Sequence, residues 1–157
     1  TIAALNGSIF GGATDIALAC DFRIGVTGTR FVMPATRLGL HYYPGAMRRY
    51  VERLGLPAAK RLFLLGQSTP CEEMHRLGFF DALVAPGELA SNVDAMAQLL
   101  VEAPRGVVQS MKQHLNSIAR GEMNAPAIYA AYVASQRSEN LKEGLAALRA
   151  KRRPKFR

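Results

Sequence analysis

Tryptophan is absent from the 157 residues, and cysteine is limited to Cys20 and Cys71. Two thiols so far apart offer neither a metal-ligand spacing nor a disulfide framework. They suit a reducing cytosol, in which both are inert, partly buried side chains. No stretch approaches the roughly 18 apolar residues that a bilayer crossing needs. The first residues lack the basic start and long apolar centre of a secretory signal, so the triplet Asn6-Gly7-Ser8 reads as an accidental glycosylation match. These absences give a cytoplasmic location as the expectation. Internal repeats and low-complexity segments are missing too. A content of 49% hydrophobic and 20% charged residues is that of an ordinary globular chain, which excludes a disordered one. The opening run Thr1-Ile2-Ala3-Ala4-Leu5 is apolar and strand-like without an initiator Met, so the chain is expected to be part of a longer protein.

Acidic residues are scarce: 12 against 20 Lys and Arg, for a net charge of +8. The excess is local. Arg149, Lys151, Arg152, Arg153, Lys155 and Arg157 crowd the C-terminus, and without these six the balance is 8 − 6 = +2. Such a tail suits a polyanion, either nucleic acid or a phosphorylated cofactor, and equally a solvated terminus. The chain offers no pattern of stacking aromatics for base recognition, so nucleic-acid binding is not expected.

The patterning implies an α/β first half and a helical second half. Ile2–Leu5 and Phe22–Val26 read as buried strands, with Phe31-Val32 pairing nearby. Gly7–Gly12 reads as a loop of small residues and Ala13–Cys20 as a short helix. A loop from Pro34 to Gly45 precedes a helix over Ala46–Leu54 with a charged face of Arg48, Arg49, Glu52 and Arg53. That helix stops at Gly55, and a second follows over Pro57–Leu65. Thr69-Pro70-Cys71-Glu72 has the form of a capping box at the start of another helix, which ends at Gly78 before a short strand Ala82–Val84. From Glu88 onward apolar residues recur at helical spacing. Leu89, Val93, Met96, Leu100 mark one helix, and Val107, Met111, Leu115, Ile118 a second beyond Pro104. Ile128, Tyr132 and then Leu141, Leu145, Leu148 mark two more. Those stripes read as core or subunit-packing faces.

The chemistry concentrates in Leu5-Asn6-Gly7-Ser8-Ile9-Phe10-Gly11-Gly12-Ala13-Thr14-Asp15. A strand runs through small residues into a helix whose first N–H groups lack partners and carry the positive end of the dipole. With no side chain at Gly11 or Gly12, a ligand oxygen can approach the backbone, as an oxyanion hole requires. A tight strand–helix junction that only glycine fits explains the same residues. The run lacks the Gly-Lys-Ser/Thr of a phosphate-binding loop and the spaced glycines of a dinucleotide site, and no Gly-x-Ser-x-Gly elbow occurs.

Taken whole, the run resembles the signature of the crotonase (enoyl-CoA hydratase/isomerase) superfamily, and specifically its C-terminal part. Ala3-Ala4-Leu5-Asn6-Gly7, Gly11-Gly12, Asp15 and Cys20-Asp21 fill the places of the family's strand, turn, acidic residue and helix end. Phe31-x-x-Pro34, Arg37-Leu38-Gly39-Leu40 with Pro44-Gly45, and Pro57-Ala58-Ala59-Lys60 follow in family order. So do Leu77-Gly78-Phe79, Ser138-Glu139 and Lys151-Arg152-x-Pro154-x-Phe156. The resemblance spans essentially the whole chain, and its specificity lies in order and spacing together.

The resemblance implies an α/β fold of the ClpP/crotonase type. Residues 1–86 would form the later turns of a β-β-α spiral, and residues 87–157 a helical oligomerisation region that builds trimers or hexamers. It implies an acyl-CoA substrate and lyase or isomerase chemistry in fatty-acid metabolism. Coenzyme A would be part of the substrate, and no separate cofactor or metal is expected. By position, Gly12 would donate an amide hydrogen to the thioester oxygen of an enolate, beside Gly11. The other donor would lie upstream of Thr1, so the chain alone is expected to be inactive. Of the hydratase family's two carboxylates, the first falls at Asp15 and the second at Ala35, which cannot carry a proton; standard hydration is not expected. The loop from Leu38 to Pro44 is two residues longer than the family spacing. It brings His41 as an acid–base candidate and Tyr42, Tyr43 and Pro44 as substrate-binding candidates. Ala35 also motivates an alternative, a catalytically silent scaffold.

Overall fold

A computed structural model describes residues 1–156. They form two compact units, Thr1–Ala95 and a second starting at Met96. The first unit opens with β1 (Ile2–Leu5), β2 (Ile9–Phe10) and α1 (Gly12–Ala19). The order then repeats as β3 (Phe22–Val26), β4 (Arg30–Val32), a 3-10 turn over Ala35–Leu38 and α2 (Pro44–Leu65). β1 pairs parallel to β3, Ile2 opposite Phe22, and β2 pairs parallel to β4, Ile9 opposite Phe31. Two strand–strand–helix turns therefore stack in register, the spiral arrangement that the resemblance implied. β5 (Ser68–Pro70) runs antiparallel to β4, and α3 (Cys71–Arg76) leads to β6 (Ala82–Val84), parallel to β3.

Strand β3 is buried from Arg23 to Val26, as expected of a parallel strand covered on both faces. Gly25 has a packing reason: a Cβ there would stand 2.5 Å from Cε1 of Phe80. A Gly25→Ala variant must displace a buried ring, and the expected cost is about 1–3 kcal/mol, read as a lower urea midpoint at unchanged m-value. The core gathers Leu18, Phe31, Tyr50, Met74 and Phe79, with Phe31 edge-on to Phe79 at 5.1 Å between centroids. Cys71 is buried there as a free thiol, and Cys20 is a half-buried free thiol at the end of α1.

The two helices expected either side of Gly55 are present: α2 starts at Pro44 rather than Ala46, and Gly55, with φ 80° and ψ 159°, is a kink that divides it. Two other sequence expectations need adjustment. The loop after Pro34 contains a 3-10 turn, closed by Gly39 in the left-handed region. Thr69 does not cap α3. It is drawn into β5 opposite Phe31, where its hydroxyl reaches the Gln67 carbonyl at 3.5 Å, and Pro70, with no side-chain acceptor, precedes the helix.

Helix α4 (Leu89–Glu102) is followed by α5 (Arg105–Ala119), α6 (Ala125–Gln136) and α7 (Glu139–Arg149). Asn124 and Ser138 cap α6 and α7, each accepting from the backbone three residues on at 3.1 Å. α5 packs on α6 and α6 on α7. Of the apolar stripes read from the sequence, Leu89, Val93, Met96 and Leu100 are half-buried in this single chain, whereas Met111, Leu115, Ile118 and Tyr132 are exposed. Leu99 and Tyr129, off those stripes, are exposed too, and no residue of α4, α5 or α6 is fully buried. Among the described residues, no helix is long and apolar enough to cross a membrane.

Candidate functional site

The strand–helix junction is built by glycine. Gly11 adopts φ 52° and ψ −123°, a conformation that side chains disfavour, although a Cβ there would meet nothing within 4 Å. Backbone conformation and not crowding therefore selects this glycine. Its N–H donates to the Val32 carbonyl at 2.9 Å, and its carbonyl accepts from the Thr14 amide at 3.1 Å and the Thr14 hydroxyl at 2.6 Å. The Thr14 hydroxyl in turn meets the buried Tyr50 hydroxyl at 2.5 Å. Burial holds the Tyr50 phenol above its usual range, so it stays a neutral hydrogen-bonding group.

With the turn fixed on both sides, Gly12 becomes the first residue of α1. It is exposed, and among the described residues none accepts a hydrogen bond from its amide. That amide combines an unsatisfied donor with the positive end of the helix. A Cβ on Gly12 would find one neighbour, the Tyr42 hydroxyl at 4.0 Å.

Asp15 lies one turn into the helix and is buried. Its Oδ1 accepts from Arg49 Nη1 at 2.6 Å, and its Oδ2 accepts a short hydrogen bond from the Tyr43 hydroxyl. The bond to Asp15 is the largest influence on Tyr43 and pushes its ionisation up to about 12. Tyr42 is half-buried, its ring 4.8 Å from that of Tyr43 and 5.4 Å from that of Phe63. Burial, and then the charge of Asp15, raise its ionisation above the ordinary phenol value.

The structure thus brings Gly11, Gly12, Asp15, Tyr42 and Tyr43 together. Pro44 is exposed and opens α2, where its missing N–H costs nothing. His41 is exposed; its Nδ1 meets the Tyr42 carbonyl at 2.9 Å, and no hydrogen bond joins it to Asp15. Ala35 is buried in the core, away from any role in proton transfer. Sequence reasoning missed Arg49, Thr14 and Tyr50. The sequence places Arg49 and Arg53, four apart, on a charged face of the helix, and both turn inward to α1. Arg53 bonds the Leu18 and Cys20 carbonyls, each at 2.5 Å. That i, i+4 spacing was the available signal.

The basic C-terminal segment is folded back. Arg152 grips Glu143 through two bonds of 2.6 and 2.9 Å, the Lys155 amide adds a third at 2.7 Å, and Arg153 pairs with Glu102 at 2.9 Å. The Arg152 bonds first, and then the Lys155 amide, lower the Glu143 carboxyl to about 2. A carboxyl whose folded value is depressed stabilises the fold above its ordinary range and loses that contribution as pH falls through the folded value. A carboxyl NMR titration is therefore expected to show Glu143 charged until close to pH 2, and Arg152→Ala to return its midpoint toward the ordinary glutamate range.

Comparisons with known proteins bear on the family and the fold. The family model described as enoyl-CoA hydratase/isomerase matches residues 1–157. A short-chain-enoyl-CoA hydratase of Clostridium acetobutylicum is 33% identical over 115 residues, covering 73% of this chain and 44% of that enzyme. A crotonyl-CoA hydratase of Syntrophomonas wolfei is 29% identical over 157 residues, covering 99% of this chain and 60% of its own. The crystal structure of an enoyl-CoA hydratase from Bacillus anthracis superposes with a TM-score of 0.85 at 26% identity, over 99% of this chain and 61% of that one. The chain thus spans 44% and 60% of the two curated relatives.

Proposed function

The chain belongs to the enoyl-CoA hydratase/isomerase family, and from that premise we propose that it serves an enzyme acting on acyl-CoA thioesters through an oxyanion-stabilised enolate. The observation that carries this reading is the exposed amide of Gly12 at the start of α1, unpartnered among the described residues. As an α-proton leaves the substrate, charge builds on the thioester oxygen, and a fixed amide aimed at it stabilises the transition state more than the ground state. Coenzyme A enters as part of the substrate.

Gly11 shapes the approach, with Tyr42, Tyr43 and Pro44 as the substrate-binding candidates of the neighbouring loop. Asp15 and His41 are the acid–base candidates. Both Asp15 oxygens are engaged, so its influence reaches the substrate through Tyr43. With Ala35 in the core, the reaction is not the two-carboxylate hydration, and it falls in the wider lyase or isomerase chemistry of fatty-acid metabolism. The open apolar faces of α4 to α6 suit burial against further copies, in a homotrimer or hexamer. Nucleic-acid binding is disfavoured because Arg152 and Arg153 are committed to carboxylates.

The test is to titrate the full-length protein with acetoacetyl-CoA, whose enolate absorbs in the near ultraviolet while its keto form does not. The bound ligand is expected to shift towards the enolate; binding without that shift overturns the reading. Buried Ala35 and the engaged Asp15 favour a second reading, a silent scaffold. Turnover in a screen of hydration, isomerisation, decarboxylation and thioester hydrolysis would exclude it.

A further inference from the structure

We propose that Tyr42 is a catalytic residue, donating its hydroxyl hydrogen to the same developing oxyanion that the Gly12 amide serves. This inference rests on the enolate reading above and assigns a second, side-chain donor to that site.

Position is the first argument. Among the described residues, and apart from its own helix and chain neighbours, a Cβ on Gly12 would meet the Tyr42 hydroxyl, at 4.0 Å. The small volume kept open by the missing side chain is thus bordered by a backbone donor and a phenol. Support is the second. The Tyr42 ring is clamped between Tyr43 and Phe63, at 4.8 and 5.4 Å, and these contacts fix the direction of its hydroxyl.

The neighbouring phenol holds Tyr42 until ligand arrives: the two hydroxyls share a hydrogen bond, which Tyr42 gives up when it turns to the oxyanion. Tyr43 spends its hydrogen on Asp15, and Asp15 is held from its other side by Arg49. Arg49, Asp15 and Tyr43 therefore form a polar anchor beneath Tyr42, and each is a positioning residue. Asp15 also faces Tyr42 with negative charge, which together with burial keeps the Tyr42 phenol protonated. A protonated phenol is a donor and not a base, the role that an enolate oxygen requires.

The test compares full-length wild type, Tyr42→Phe and Gly12→Pro at one fixed pH. Acetoacetyl-CoA reports the enolate-to-keto ratio of bound ligand, and S-butyl-CoA, a thioether with no carbonyl oxygen, reports binding alone. Tyr42→Phe keeps the ring and its packing, and a thermal melt close to wild type checks the fold. The expected result is a drop of about tenfold or more in the enolate ratio, the usual worth of a hydrogen bond to a charged oxygen, with S-butyl-CoA affinity unchanged. An unchanged ratio in Tyr42→Phe, while Gly12→Pro abolishes the enolate, overturns the Tyr42 assignment and leaves the Gly12 reading standing. Equal losses for both ligands in Tyr42→Phe reduce Tyr42 to packing and also overturn it. A wild type that binds acetoacetyl-CoA only as the keto form overturns both.

Discussion

Gly12→Pro is expected to lower enolate stabilisation by about a hundredfold, close to 3 kcal/mol, the usual consequence of losing one oxyanion donor. The substitution removes the donor, and its ring also enters the space that the missing side chain keeps open, so the loss is at least that of the donor alone. At the first position of α1 its N–H has no helical partner, and proline is well tolerated there. Gly11 before it is in an extended, mirror-image conformation, not the helical one that a following proline excludes. Stability is therefore expected to change by less than about 1 kcal/mol while the enolate signal disappears. Loss of the signal together with a collapsed thermal transition would mean that the glycine serves the fold and not the chemistry.

Asp15→Ala is expected to lower stability by about 2–3 kcal/mol. Removing one partner of a buried ion pair typically costs about 3–5 kcal/mol because the other charge is stranded. Here the remaining partner, Arg49, is 30% exposed and can turn toward water, which reduces the cost. The Tyr43 hydroxyl also loses its acceptor, so its ionisation is expected to fall from about 12 toward the ordinary phenol value, visible as an earlier tyrosinate absorbance change. Urea denaturation measures the stability term. A variant as stable as wild type would mean that Asp15 is not the anchor of this loop, and would return it to the role of an ordinary acid–base group.

These two residues show how far the sequence could be read. Gly11 and Gly12 are legible because their roles are local: the turn, the helix start and the free amide all follow from adjacent residues. β3 and β6 are legible for a similar reason, since short apolar runs bounded by turn residues fit short strands, buried in β3 and half-buried in β6. Asp15 was legible as a charged residue in the right place, but its state was not. Arg49 and Tyr43 reach it from 34 and 28 residues away, and only the packing of α2 on α1 brings them together. Thr69 failed for the same reason: its motif described a cap, and the antiparallel pairing with β4 claimed the residue first. The long loop before α2 marked Tyr42 and Tyr43 by their proximity in sequence to the site. Which phenol would be held by a carboxylate and which would face Gly12 depended on that packing.

The claim beneath all of this is that the Gly12 amide meets the ligand oxygen, and its own proton NMR resonance tests it most directly. During titration of the full-length protein with acetoacetyl-CoA, that resonance is expected to move strongly downfield as the oxyanion accepts its hydrogen, and to stay near its starting position with S-butyl-CoA. A Gly12 resonance that does not move while acetoacetyl-CoA saturates the protein would contradict the account.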